Sequence, residues 1–195
     1  MAVIGEFCEM VNQAVQDFPG CEPPFRLAFE NLWWEGLRLR SPREWRLMEE
    51  RLEFDNWGFV LDTGHLMNTL DDAFDEDSAI KGLGKVVDSY PQDMKDRICT
   101  MHLQLSTTAG FRSGIVDDTR HEGESWDDFS LRAYRRANDM DQHRPYSSPE
   151  IVDIVRDIAP EFLVHELMGA ISKDRWGDLR QQRRLFRLTP CSDIC

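Results

Sequence analysis

Apolar residues gather in four short runs with polar stretches between them. The runs are Phe25–Glu30 (FRLAFE), Trp57–His65 (WGFVLDTGH), Ile98–Leu105 (ICTMHLQL) and Glu161–Leu167 (EFLVHEL). Each is about as long as a strand, and none alternates strictly between apolar and polar. That is the pattern of a strand buried on both faces of a parallel sheet. Helix signals fill the gaps. Val3–Phe18 precedes the first run and is closed by Pro19-Gly20. Ser41-Pro42-Arg43-Glu44 is a helix start: Ser41 as N-cap, Pro42 at the first position and Glu44 completing a capping box. The helix it opens runs to about Leu52. A third helix is predicted over Glu76–Tyr90, weakened by Gly82 and Gly84 and stopped by Pro91. Ser147-Ser148-Pro149-Glu150 opens a fourth that ends before Pro160, and a fifth covers Lys173–Leu188.

A leading helix followed by four strand–helix units predicts an α/β fold of parallel strands joined by right-handed crossovers. Residues 1–195 read as one domain. Four such units make either a small open sheet or half of an eight-stranded barrel. The stretch 106–147 is too long for a plain connection. Being polar and rich in Asp, Arg and Gly, it reads as a loop insertion, either a lid or a partly disordered segment.

Charge and composition narrow the function. The net charge is -13, and the one basic cluster of note runs from Arg175 to Arg187. Nucleic-acid binding usually needs a basic stripe, so DNA is the less favoured substrate. No apolar run approaches the roughly 20 residues that span a bilayer. The first residues lack a basic flank and a small-residue cleavage site, and the five cysteines are odd in number and irregular in spacing. Together these predict a cytoplasmic protein with reduced thiols. Cys191 and Cys195, four apart near the end of the chain, are a weak metal or redox pair.

The polar residues inside the apolar runs carry the chemistry. Glu30 ends the first run, Asp62 and His65 the second, His102 lies in the third and Glu166 ends the fourth. Burying carboxylates in apolar strands is costly without a partner or a metal. In parallel α/β folds the C-terminal strand ends face the active site. Carboxylates and imidazoles converging on that rim suit a divalent cation, Zn²⁺, Mn²⁺ or Mg²⁺. Trp33 and Trp34, just after the first run, either line the rim or stack on a sugar or base.

These residues also carry a resemblance. "LAFEN", "GFVLDTGHL", "MHLQLS" and "FLVHEL" resemble successive strands of the xylose isomerase-like TIM barrels, the superfamily that includes endonuclease IV. The Asp-x-x-His of the second is the most specific match. The resemblance implies one metal shared by Glu30, Asp62, His102 and Glu166. It implies a further cation, as in the endonuclease branch, on His65, Asp141 and His143 of "DQHRP". Asp118 and His121 are rival candidates for that place. The family barrel has eight strands, so the chain is expected to supply the C-terminal half barrel, completed by a separate N-terminal half or by self-association.

Three functions follow from the resemblance. The first is isomerisation or epimerisation of a sugar or sugar phosphate through a metal-stabilised enediolate. Glu30 and Glu166 would then be the catalytic acid/base pair, with His65 and Trp33 binding substrate. The second is zinc-dependent phosphodiester cleavage at abasic DNA, which the Asp-x-His motif favours. The third is a truncated, non-catalytic barrel fragment.

Overall fold

Each of the four apolar runs forms a strand, in a computed structural model that describes residues 2–33, 36–107, 119–167 and 174–188. They are β1 (Leu27–Glu30), β2 (Trp57–Asp62), β3 (Ile98–Leu103) and β4 (Phe162–His165). All pair in parallel, in the order β1-β2-β3-β4. Among the described residues eight α-helices accompany this sheet: α1 (Ala2–Val15), α2 (Pro42–Arg51), α3 (Thr63–Met67), α4 (Glu76–Asp88), α5 (Gln92–Asp96), α6 (Trp126–Met140), α7 (Ile151–Ile158) and α8 (Arg175–Leu188). None of these helices is long and apolar enough to cross a membrane.

The capping chemistry is as the sequence predicts at α2. Ser41 accepts from Arg43 N–H, and the Glu44 side chain reaches back to Ser41. The run Trp57–His65 is corrected. The strand stops at Asp62, because its Oδ1 accepts from His65 N–H at 2.6 Å and so caps α3. His65 therefore sits in a helical turn above the sheet. The insertion 106–147 is corrected too: its second half holds the 15-residue helix α6. Ser125 opens that helix, its hydroxyl accepting from Asp128 N–H at 3.1 Å.

Among the described residues, helices cover one face of the sheet. Trp57, Phe59, Leu61, Met101 and Leu103 are buried there, against Cys8 of α1, Met48 of α2, Leu83 of α4 and Ile151 of α7. The opposite face carries Ala28, Val60, Thr100, Phe162 and Val164, which are half-buried or exposed. Phe162 is 63% and Val164 41% exposed. Along every strand alternate side chains point to opposite faces, and Glu30, Asp62, His102 and Glu166 all fall on this bare face, at its C-terminal rim. Curvature brings the outer strands towards each other. At the foot of the sheet Arg26, just before β1, pairs with Glu161, just before β4.

Candidate metal centre

Four strands each deliver one side chain to the rim. Glu30 and Asp62 are the last residues of β1 and β2, His102 is next to last in β3, and Glu166 follows β4. One ligand atom of each lies within 4.8 Å of one atom of every other. His102 Nδ1 is the hub, 2.7 Å from Glu166 Oε2, 3.3 Å from Glu30 Oε1 and 3.8 Å from Asp62 Oδ2. Asp62 is fully buried and the other three are half-buried.

Three of these atoms are orphans. His102 Nδ1, Asp62 Oδ2 and Glu166 Oε2 are buried without a hydrogen-bond partner. The 2.7 Å approach of His102 to Glu166 is an ion-pair contact. A buried polar atom left unsatisfied costs on the order of 1–3 kcal/mol, and three facing one another are what a cation resolves. Their separations also match ligands that lie about 2 Å from a common ion. Glu30, Asp62, His102 and Glu166 thus form a group that can hold a metal ion.

A second group adjoins the first. His65 Nδ1 is 2.8 Å from the Asn31 carbonyl and His143 Nδ1 is 2.8 Å from the Asp141 carbonyl. A carbonyl only accepts, so each Nδ1 carries a proton and each Nε2 is the ring nitrogen turned towards the site. Both Nε2 atoms face Asp141 Oδ2, at 3.1 Å from His65 and 3.4 Å from His143. His143 Nε2 is also 3.5 Å from Glu166 Oε1. Glu166 therefore turns one oxygen to each group, and Glu30 Oε1 lies between His102 and His65, 3.5 Å from the latter. Of the rival pair, Asp118 lies outside the described residues. His121 is exposed and donates its backbone N–H to Glu124 in the turn before α6.

No protein-family model, curated protein or solved structure matches this chain. What the site can do rests on its own geometry.

The electrostatics are those of carboxylates and imidazoles packed together and sharing protons. Burial pushes the Asp62 carboxyl well above the usual carboxylate range. The Glu166 and then the Glu30 carboxylates hold the His102 imidazole charged, up to about 10. Burial opposes charge on His65, but Asp141 and Asp62 outweigh it and bring the ring up to about 9. His143 moves up in the same way, burial being overcome by Glu166 and the Asp141 carbonyl. Glu166 is held well below the usual carboxylate range by His102 and His143.

Two positioning residues are absent from the sequence reading. Asn31 is fully buried and bridges β1 to β2, accepting from Asp62 N–H at 2.7 Å and donating to the Asp62 carbonyl at 3.1 Å. Gln104 is fully buried and touches both groups. The signal was available: Gln104 lies two residues past His102, on the same face by strand alternation. Trp33 is half-buried in the loop after β1, and Trp34 lies outside the described residues, as do Cys191 and Cys195.

Proposed function

We propose that this chain supplies the C-terminal half of a metal-dependent (β/α)₈ barrel resembling the endonuclease IV branch, and that its centre hydrolyses a phosphoester with two divalent cations, Zn²⁺ first among them. The observation that carries the reading is the pair of imidazole Nε2 atoms facing one Asp141 oxygen beside the first group, with Glu166 shared between the two. A carboxylate shared between a carboxylate-rich group and a group with two imidazoles would suit a pair of divalent ions.

The half-barrel reading is supported by register. Following the ladders from Glu30 leads to Val60, Thr100 and Phe162, four residues before Glu166. The rim thus advances by about one residue per strand, the stagger that a shear of 8 over eight strands requires. Neither outer strand reverses the order with a switch point, as a doubly wound sheet would.

Divalent cations held by these residues supply charge neutralisation at phosphoryl oxygens and acidify water. The chain's own residues do the rest. Asp62 is sealed from solvent, while Glu30 and Glu166 are about one-third exposed at the rim. They are the carboxylates placed to take up or return a proton. His65 and His143 are held with Nδ1 protonated on backbone carbonyls, so each presents a fixed Nε2.

Isomerase or epimerase chemistry is the second reading, favoured by Glu30 and Glu166 flanking His102 as an acid/base pair. It leaves the second group without a task. The test is direct. Zn²⁺-loaded protein, alone and mixed with a (β/α)₄ N-terminal half barrel of the family, is assayed for cleavage of bis-p-nitrophenyl phosphate and of an abasic duplex. Exchange of a sugar phosphate's α-proton with solvent deuterium is followed in parallel. Cleavage without exchange supports the hydrolytic reading, exchange without cleavage replaces it with the isomerase, and neither activity leaves a cation-binding fragment.

A further inference from the structure

We propose that Gln104 is the positioning residue that joins the two groups into one centre, by holding one oxygen of each aspartate so that the other is presented to a cation. The inference rests on the metal reading above.

The Gln104 side chain is fully buried and all of its hydrogen-bonding capacity points at the centre. Its Nε2 donates to Asp62 Oδ1 at 3.1 Å and to Asp141 Oδ1 at 2.6 Å, using both hydrogens. Its Oε1 accepts from His143 N–H at 3.2 Å. Two carboxylate oxygens on the nitrogen and a backbone N–H on the oxygen fix which way round the amide lies, since the flipped form would set oxygen against oxygen. In both aspartates Oδ1 is therefore taken by Gln104 and Oδ2 is left over. Asp62 Oδ2 is one of the three orphans of the first group, and Asp141 Oδ2 is the atom that both imidazoles of the second group face.

The amide suits this task because it carries no charge. A lysine here would attract the same carboxylates but would neutralise them and compete with a cation. An amide orients both and leaves their charge intact. It also holds His143, whose backbone φ of 48° lies in the left-handed region and is maintained against a cost of about 1 kcal/mol or more.

The surroundings are built around Gln104. Thr63 Oγ1 donates to the Gln104 carbonyl at 2.9 Å and accepts from Gln104 N–H at 3.2 Å. Gly64 leaves the space that the side chain fills: a Cβ there would lie 2.1 Å from Gln104 Oε1.

The experiment titrates chelator-stripped full chain with Zn²⁺ by calorimetry, comparing wild type with Gln104→Met, which keeps the volume and removes the donors. Gln104→Asn, whose amide is too short to span both aspartates, is the second variant should the first not fold. Apo melting temperature is measured for each. The wild type is expected to bind two equivalents. The variants are expected to lose one equivalent, or to bind both about 10–100-fold more weakly, the loss typical for removing a residue that orients metal ligands. A residue that matters only for folding would lower the melting temperature and leave the affinity of the folded protein unchanged. Two equivalents bound at wild-type affinity by a folded variant overturns the proposal. A wild type that binds no Zn²⁺ overturns the metal reading instead.

Discussion

Asp62 is the residue on which the most forces meet. It is fully buried, one oxygen caps α3 and takes a hydrogen bond from Gln104, and the other has no partner. Asp62→Asn keeps the size and the Oδ1 acceptor while removing a buried charge. At pH 8 it should raise apo stability, by on the order of 1 kcal/mol, and weaken Zn²⁺ binding at least 100-fold. Thermal melting and metal titration of one preparation check both halves.

Protons and cations compete for the same atoms, so pH acts with a definite sign. In the cation-free protein His65 and His102 hold their protons up to about 9 and about 10. The stability this contributes is complete below the unfolded imidazole value, about 6.5, and is lost as pH rises through those folded values. Asp62, raised by burial, acts in the same direction. Glu166 is depressed, so its contribution is complete above the ordinary carboxylate range and changes only in acid. The apo melting temperature should therefore fall between pH 6.5 and pH 9.5. Zn²⁺ affinity should rise over the same interval, with protons released on binding that calorimetry in buffers of different ionisation enthalpy can count.

At the scale of elements, strands were legible because each is an uninterrupted apolar run, and α2 because its cap is a local signal. The ligands were legible for the same reason, as polar residues standing alone in apolar surroundings. His65 was misplaced because the Asp-x-x-His spacing was read as strand, although it is also the spacing of an N-cap and the third residue of a helix. Helix α6 was missed because periodicity marks a helix by its buried stripe, and Trp126, Leu131 and Tyr134 of this one face solvent. The Ser125 and Asp128 pairing was the remaining clue. Gln104 escaped although it too stands between apolar residues, Leu103 and Leu105, because a neutral amide is neither a charged group nor a metal ligand and draws no notice until its partners are known. The tight joint between β2 and α3 is testable. Gly64→Ala places a methyl against Gln104, and should cost about 1–3 kcal/mol in urea denaturation and weaken Zn²⁺ binding as well.

For the whole molecule the bare sheet face decides behaviour. Parallel sheets are ordinarily covered on both sides, yet Phe162 and Val164 are exposed here. Strand edges at β1 and β4 add unpaired backbone groups, a template for association. Sedimentation of the isolated chain should show concentration-dependent self-association in the micromolar range, reduced in Phe162→Ser/Val164→Thr. A strictly monomeric wild type would mean that this face is tolerated in water as it stands.

The crossing contact between Arg26 and Glu161 gives the trough two latches of unequal strength. At the foot, a solvent-washed ion pair adds little, under about 1 kcal/mol. At the mouth, carboxylates from the two outer strands are drawn to one imidazole, whose single charge joins them less strongly than a divalent ion would. Protein without Zn²⁺ should be looser at the mouth than Zn²⁺-loaded protein while the foot stays shut, like tweezers released at the tips. Amide exchange would then quicken first at Glu30 and Glu166, with Leu27 and Phe162 lagging behind.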